Sequence, residues 1–246
     1  MRIGRLVFLV VLTLTACQPT TSTSEPLATP EIWQIQLTPA LQWLEPAFNL
    51  CTNRQGGLGL VTFERPAAVL ESHRVDVTFR WGAPEHLTGY AAVLAYDELV
   101  VVVNSHNPMQ SLSQNDLQEI YTGKVNNWKN LKQSASFDQK IQPWSYPDGE
   151  ETQQVFTNSL VENIQNGVIA GVAPAPEEMR QALAADPGAI GYIPQRWLDQ
   201  SQNIRKVSLI DGPANLLKLP ILAITNQPLI GQQKLWLGCL QTTIQP

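Results

Sequence analysis

The stretch Tyr96–Leu131 reads YDELVVVVNSHNPMQSLSQNDLQEIYTGKVNNWKNL, and it predicts a strand, a turn and a short helix. Residues 99–103 form an unbroken run of leucine and valines, which is typical of a strand buried on both faces in a parallel sheet. Ser113 and Asp116 have the spacing of a capping box, and Gly123 is placed to end the helix that follows. This order of elements is a piece of an α/β domain.

The composition of the whole chain is that of a globular protein with a substantial core. Of its 246 residues, 43% are hydrophobic and 15% are charged. The net charge is -5, and it becomes more negative by two if a leader carrying Arg2 and Arg5 is removed. An acidic chain lacks the basic surface that general nucleic-acid binding requires, so nucleic acid is not an expected partner.

The motifs that carry catalytic or cofactor chemistry are missing from the sequence. It contains no HExxH, GxSxG, P-loop or GxGxxG pattern, and His73, His86 and His106 stand alone in polar stretches. No CxxC or Cys/His cluster has the spacing of a metal site. The sequence therefore predicts neither an enzyme nor a cofactor or metal.

Residues 1–30 have the pattern of an exported protein with a lipid anchor. Two arginines and an apolar run make residues 1–16 a signal peptide. The segment Leu14-Thr15-Ala16-Cys17 resembles a bacterial lipobox, in which Cys17 would carry the lipid; the alternative is an ordinary cleaved signal with an incidental cysteine. Residues 17–30 are rich in Thr, Ser and Pro and predict a flexible tether. Acyl chains would then hold the protein in the periplasm or at the outer face of the cytoplasmic membrane.

Two cysteines remain once Cys17 is assigned to the lipid. Cys51 and Cys239 are an even pair in an oxidising compartment, which favours a disulfide that ties the two ends of the folded body together. The alternative is two free buried thiols. Chain-entropy models put the stabilisation from closing so long a loop at about 4–5 kcal/mol.

The central stretch also resembles a known family. VVVVN, a proline turn, and then Leu117…Ile120-Tyr121-Thr122-Gly123-Lys124…Asn127-Trp128 are similar to the phosphate-binding-protein-like family of extracytoplasmic solute-binding proteins. The run GAIGYIP at 188–194 carries the same resemblance. It implies an α/β, two-lobed type II periplasmic-binding-protein-like fold. Each lobe would be a mainly parallel sheet flanked by helices, and two crossover strands would form the hinge.

The resemblance divides the chain into lobes and implies a function. Residues 31–95 and 206–246 would form the first lobe, and residues 96–205 the second. The family binds phosphate or a related small oxyanion between the lobes and passes it to the permease of an ABC transporter. The alternative function is a surface lipoprotein of the same fold that serves as a sensor or scaffold, or that binds another ligand.

The first lobe contains four candidate ligand residues. The resemblance places a hydroxyl residue at the start of the first helix, and Thr38 matches it; a simple N-cap is the alternative. Arg65 follows a strand, where it would either meet an anion or pair with a surface glutamate. Asp76 matches an aspartate at the family's cleft, where a carboxylate accepts a hydrogen bond only from a ligand that keeps a proton. Arg80 shares its face by period-2 alternation and would hold Asp76 or the ligand.

The turn at Tyr146–Thr152 departs from the family pattern. Gly149 and Thr152 align with the family's anion-binding turn and are candidate contacts, whereas Tyr146 stands in place of an arginine and Glu150-Glu151 in place of Ser-Gly. A carboxylate about 4 Å from a bound anion would cost about 4 kcal/mol at an effective dielectric constant of about 20. Three interpretations stay open. The carboxylates point to solvent, or they bind a cationic or polyhydroxylated ligand, or the lobe has lost ligand binding.

Overall fold

The computed structural model describes residues 31–55, 58–67, 70, 75–84, 86–161, 167–198, 203–212 and 217–244. The predicted signal peptide, Cys17 and the tether lie outside these residues. The strands are β1 (Glu31–Leu37), β2 (Leu58–Glu64), β3 (Val77–Trp81), β4 (Tyr90–Asn104), β5 (Ser111–Leu112), β6 (Gln142–Ser145), β7 (Gly171–Val172), β8 (Ala189–Pro194), β9 (Ile204–Lys206), β10 (Ser208–Leu209) and β11 (Lys218–Thr225). The helices are α1 (Glu45–Gln55), α2 (Gln114–Tyr121), α3 (Glu151–Ser159), α4 (Pro176–Ala185), α5 (Gln195–Leu198) and α6 (Gly231–Thr243), with a 3-10 helix at Pro39–Leu44 before α1.

One mixed sheet runs through the molecule in the order β2-β1-β3-β11-β4-β8-β6-β7, with β9 also paired to β4. We call the part built on β1, β2, β3, β11, α1 and α6 the first lobe, and the part built on β5–β10 and α2–α4 the second lobe. The long strand β4 belongs to both. Its residues 90–98 pair with β11, and its residues 99–103 pair with β8. A single strand therefore carries the chain from one lobe into the other.

The buried strand predicted at residues 99–103 is confirmed, but its expected parallel setting is wrong. All five residues are at most 2% exposed, while β8, β9 and β11 all run antiparallel to β4. Helices α3, α4 and α5 contact β4. A strand that is covered on both faces is apolar throughout, whether its neighbours are parallel or antiparallel. The apolar run therefore predicts that the strand is buried, but it does not predict the direction of the neighbouring strands. Parallel pairing occurs on the outer strands, between β1 and both β2 and β3, and between β6 and both β7 and β8.

The predicted helix start and stop in the central stretch are confirmed. The Ser113 hydroxyl accepts a hydrogen bond from the Asp116 backbone N–H at 3.0 Å, and the Asp116 carboxylate accepts one from the Ser113 N–H at 2.8 Å. Together these bonds satisfy two of the free donors at the start of α2. Gly123 has φ +76°, a left-handed conformation that favours glycine after a helix.

The predicted disulfide is confirmed and excludes the two free thiols. Cys51 in α1 is bonded to Cys239 in α6, and the two helices pack against each other. The bond fastens the last helix of the chain to the first. Within the described residues, no helix is long and apolar enough to cross a membrane.

The second crossover lies later in the chain than the boundary at residue 206. Strand β10 at Ser208–Leu209 pairs with β5 at Ser111–Leu112, so this segment still belongs to the second lobe. The chain is back in the first lobe at β11, which lies between β3 and β4.

Candidate functional site

The candidate site lies where the first lobe's parallel strands meet helix α3 of the second lobe. Thr38 directly follows β1, and Trp81 is the last residue of β3. Since β1 and β3 are parallel, their carboxyl ends share one edge of the sheet, which is the usual place for ligands in α/β folds. Glu151, the first residue of α3, faces this edge from the other lobe.

The Glu151 carboxylate is bound by three groups of the first lobe. Its Oε2 accepts hydrogen bonds from the Thr38 hydroxyl at 2.8 Å and from the Trp81 backbone N–H at 3.0 Å. Its Oε1 lies 3.1 Å from Nε of Arg80, an ion pair without the alignment of a directed hydrogen bond. Thr38, Trp81 and Glu151 are each at most 2% exposed. Three groups of the first lobe thus converge on one carboxyl group of the second.

The local backbone explains why Glu151 can reach so far. Gly149 has φ +87°, which turns the chain sharply before α3. Glu150 is the N-cap of α3 in an extended conformation, and its side chain makes no capping hydrogen bond. Thr38 precedes the 3-10 helix and its side chain does not cap it; its hydroxyl donates to Glu151. Both side chains are thus available for contacts between the lobes.

Glu150 points in the same direction as Glu151. It is 6% exposed. Burial raises the pKa of this carboxyl, the backbone of Ala67 in the first lobe lowers it, and Glu64 raises it further. The interpretation in which the two carboxylates point to solvent is therefore wrong.

Burial also dominates the electrostatics of Glu151. It raises the pKa of the Glu151 carboxyl to about 7, against the lowering effects of Arg80, Thr38 and Trp81. Glu150 adds a small repulsion in the raising direction. The Glu151 carboxyl therefore gains and loses its proton near neutral pH, even though the Arg80 guanidinium lies beside it.

A cavity of about 390 Å³ opens beside this contact. It is bounded by the first lobe on one side and by α3 on the other. Its lining residues are Ala67, Arg80, Trp81, Gly82, Ala83, Pro84, Glu151, Gln154, Val155, Asn158, Ser159 and Leu219. The buried indole N–H of Trp81 has no hydrogen-bond partner within the described part of the chain. The cavity thus offers polar groups from both lobes.

The structure brings together some of the residues that the sequence singled out. Thr38 and Arg80 meet at Glu151. Thr152 is buried in the first turn of α3 at 2% exposure, and Gly149 forms the turn before that helix.

Asp76 and Arg65 lie apart from this group. The Asp76 carboxylate accepts a hydrogen bond from the Gln34 N–H at 2.7 Å, at the entry end of β3. Five strand residues separate it from the cleft edge, a span of about 16 Å at the usual strand rise. Arg65 is exposed, and its guanidinium lies over the Phe63 ring at 5.8 Å.

One feature of the cleft escaped the sequence. Trp81 contacts Glu151 through its backbone N–H, which does not depend on the residue type. Nothing in the sequence therefore connects the two residues. Tyr146 is buried, packs edge-on against Tyr192 at 5.5 Å, and has no partner for its hydroxyl among the described residues. Within those residues, no group of three or more His, Cys, Asp or Glu side chains is placed to hold a metal.

Comparison with known proteins places the chain in a family. Residues 90–238 match the model of the PBP superfamily domain, so the chain belongs to the PBP superfamily. The phosphate-binding protein PstS of Bacillus subtilis (strain 168) is 29% identical over 96 residues, which are 39% of this chain and 30% of that protein. The match therefore spans less than a third of the relative's length.

Solved structures share the fold at low sequence identity. A putative phosphate ABC transporter substrate-binding protein with bound phosphate, from Clostridium perfringens, has a TM-score of 0.67 at 17% identity, over 85% of this chain and 93% of that one. An ABC-type phosphate transport receptor from Vibrio cholerae has a TM-score of 0.58 at 17% identity, over 84% and 93%. The reduced regulatory domain of OxyR2 from Vibrio vulnificus has a TM-score of 0.59 at 13% identity, over 89% and 99%. The type II periplasmic-binding-protein fold is thereby confirmed.

Proposed function

We propose that this protein is an extracytoplasmic solute-binding protein that binds a small oxyanion, of the phosphate class, in the cleft between its lobes. It would be anchored by a lipid on Cys17 and would deliver its ligand to the permease of an ABC transporter. Thr38 and Arg80 are the proposed ligand contacts in the first lobe, and Gly149 and Thr152 belong to the facing turn of the second.

One observation carries the proposal: the first lobe already binds the oxygens of a carboxylate. A hydroxyl, a backbone N–H and a guanidinium converge on Glu151 within 3.1 Å. The bonds from Thr38 and from the Trp81 N–H are of the kind that contributes about 1.5–3 kcal/mol each when the acceptor is charged, and Arg80 adds an ion pair. A donor set that holds one small anion is suited to hold another.

The relatives support the transport part of the proposal. The partial match to a phosphate-binding protein and the shared fold of two phosphate transport receptors favour an anionic solute and an ABC-type partner. The leader and the cysteine at its end favour an extracytoplasmic location with a lipid anchor, on the pattern of the sequence alone.

Ligand titration tests the proposal directly. Phosphate, sulfate, molybdate and tungstate, each at about 1 mM, would be added to the mature protein in a thermal unfolding assay. A ligand with micromolar affinity should stabilise the fold by about 4 kcal/mol. Thr38→Val should weaken the binding of the responding anion by about tenfold or more, since it removes a donor to a charged group. Thr157→Val on α3 is the matched control, because the Thr157 hydroxyl donates to carbonyl oxygens of its own helix.

The titration needs a second variant because Glu151 occupies the same donors. Glu151→Ala frees Thr38, Arg80 and Trp81, and it should respond to the anion at lower concentration than the wild type. If neither the wild type nor Glu151→Ala responds to any of the four anions, the oxyanion proposal fails.

A sensor or scaffold of the same fold is the second candidate. It is favoured by the chain's own carboxylate in the anion site, since a receptor dedicated to phosphate would have to displace it. The failure of all four anions in both proteins would support this candidate, as would the absence of permease and ATPase genes beside this one.

A further inference from the structure

The Glu151 carboxylate of α3 contacts the donors of the first lobe as the oxygens of a free anion would. The contact joins residues that are far apart in sequence: Thr38 is 113 positions from Glu151, and Trp81 is 70 positions away. We infer that Glu151 is a tethered internal ligand, whose carboxylate binds the first lobe's donors and holds the two lobes closed until a free anion displaces it.

The hydrogen-bonding pattern shows that the contact is specific. The Thr38 hydroxyl stands at the start of a 3-10 helix, makes no capping bond there, and donates its proton across the cleft. The Trp81 amide is at the end of its strand and donates to the same Oε2 atom. Oε2 accepts two hydrogen bonds and Oε1 lies beside Arg80, so both oxygens of the carboxylate are held in place.

The neighbouring residue strengthens the same closure. Glu150 is buried, and the Ala67 backbone lowers the pKa of its carboxyl, so the start of α3 meets the first lobe after β2 as well as at the ends of β1 and β3. Opening the cleft would break both contacts at once. The side chains in the first turn of α3 therefore hold the two lobes in the closed arrangement.

The charges around Glu151 make this closure sensitive to pH. Arg80 faces it from β3, and Glu150 lies beside it on α3. Glu64 on β2 raises the pKa of Glu150, and Glu178 on α4 acts on Glu64 in the same direction. A protonated Glu151 still accepts hydrogen bonds at Oε2 and no longer carries a buried charge. Acid should therefore strengthen the closure, and alkaline pH should weaken it.

Amide hydrogen exchange on the mature protein, without any added anion, tests the inference. The Trp81 N–H bonds to Glu151, so its protection factor reports the contact at residue resolution. Glu151→Ala should lower this protection by about tenfold or more. Small-angle X-ray scattering should show a larger radius of gyration for the same variant. Protection of the buried amides at 100–103 in β4 would show that the variant is folded.

A conservative variant separates the charge from the contact. Glu151→Gln keeps an acceptor oxygen for Thr38 and Trp81, so it should retain most of the Trp81 protection while losing its dependence on pH between 6 and 8. Glu119→Gln in α2 makes the same charge change outside the cleft and should behave as the wild type.

Equal protection of Trp81 in the wild type and Glu151→Ala, with equal radii of gyration, would overturn the inference. Because no anion is present in this experiment, that result would leave the proposed anion binding untouched. Failure of the anion titration would in turn leave the internal contact in place.

Discussion

The Glu151 carboxyl group loses nearly all of its water on folding, and Thr38, Trp81 and Arg80 replace that water with three contacts. Desolvation outweighs these contacts, so the pKa of the group rises from 4.5 to about 7. Below about pH 7 the folded protein therefore holds a proton on Glu151 that the unfolded chain would release above about pH 4.5, and above about pH 7 the group is a carboxylate.

A pH-dependent stability follows from this shift. The folded pKa lies above the unfolded one, so the contribution of Glu151 is fully present below about pH 4.5 and is lost as the pH rises through about 7. The free energy of unfolding should therefore lose about 3 kcal/mol from this group between pH 5 and pH 8. Denaturant unfolding at several pH values would measure it.

Glu151→Gln should remove most of that slope and stabilise the protein at pH 8 relative to the wild type. Glu119→Gln, with the same change of charge, should keep the slope. An unchanged slope in Glu151→Gln would show that the burial of this carboxyl is not what couples stability to protons; Glu150, whose pKa is also raised, would then be the group to vary.

Side-chain identity alone pointed to a carboxylate at the cleft, but to a different one. Asp76 was the candidate from the sequence, whereas Glu151 is the carboxylate that lies with Thr38 and Arg80. Asp76 comes before β3 and the cleft edge comes after it. Which end of a strand faces the ligand depends on how the sheet is assembled, and a local pattern does not contain that information.

Among the elements, α1 and α6 show how a covalent bond can join the two ends of the folded body. The disulfide spans 188 positions of sequence, and it connects a helix next to β1 with the helix that follows β11. Closing so long a loop restricts the unfolded chain far more than the folded one.

Removing this disulfide should destabilise the protein. The double variant Cys51→Ser, Cys239→Ser should lose about 2–5 kcal/mol of the free energy of unfolding, measured by denaturant titration. Dithiothreitol should lower the stability of the wild type by a similar amount and leave the double variant unchanged. Equal stability of the oxidised wild type and the double variant would contradict the assignment of this role to the bond.

In the molecule as a whole, the continuous strand β4 and the return to β11 connect the two lobes, and any opening or closing would turn on them. Both strands pair with each other over residues 90–98 and 218–225, and β4 continues directly into the second lobe. A hinge made of strands allows rigid-body closure with small changes in backbone angles. The contact between α3 and the first lobe sets where that closure ends.

The proposed attachment of the whole protein to the membrane can be tested by fractionation. In a bacterial host that lipidates exported proteins, the wild type should partition with membranes, and Cys17→Ser should be released from them, since a lipid chain contributes about 0.8 kcal/mol per buried methylene. Cys51→Ser with Cys239→Ser should stay membrane-bound and serves as the control. Equal release of the wild type would favour an ordinary cleaved signal.

Local sequence patterns were sufficient for the elements and for the family. The apolar run at 99–103, the capping box at Ser113 and Asp116 and the two body cysteines each act over short range or by composition, and all three appear as expected. The fold then followed from a long ordered resemblance. Strand direction around β4 did not, because burial on both faces leaves the same pattern in parallel and antiparallel neighbours.

The chemistry of the cleft depended on contacts between distant parts of the chain. The sequence showed Glu150 and Glu151 as a departure from the family and left three interpretations open. Only the packing of α3 against the ends of β1 and β3 shows that these carboxylates enter the first lobe, because that contact joins residues 70 and 113 positions apart. Burial and partners are properties of the assembled lobes, so the role of Glu151 follows from the tertiary structure and not from its place in the sequence.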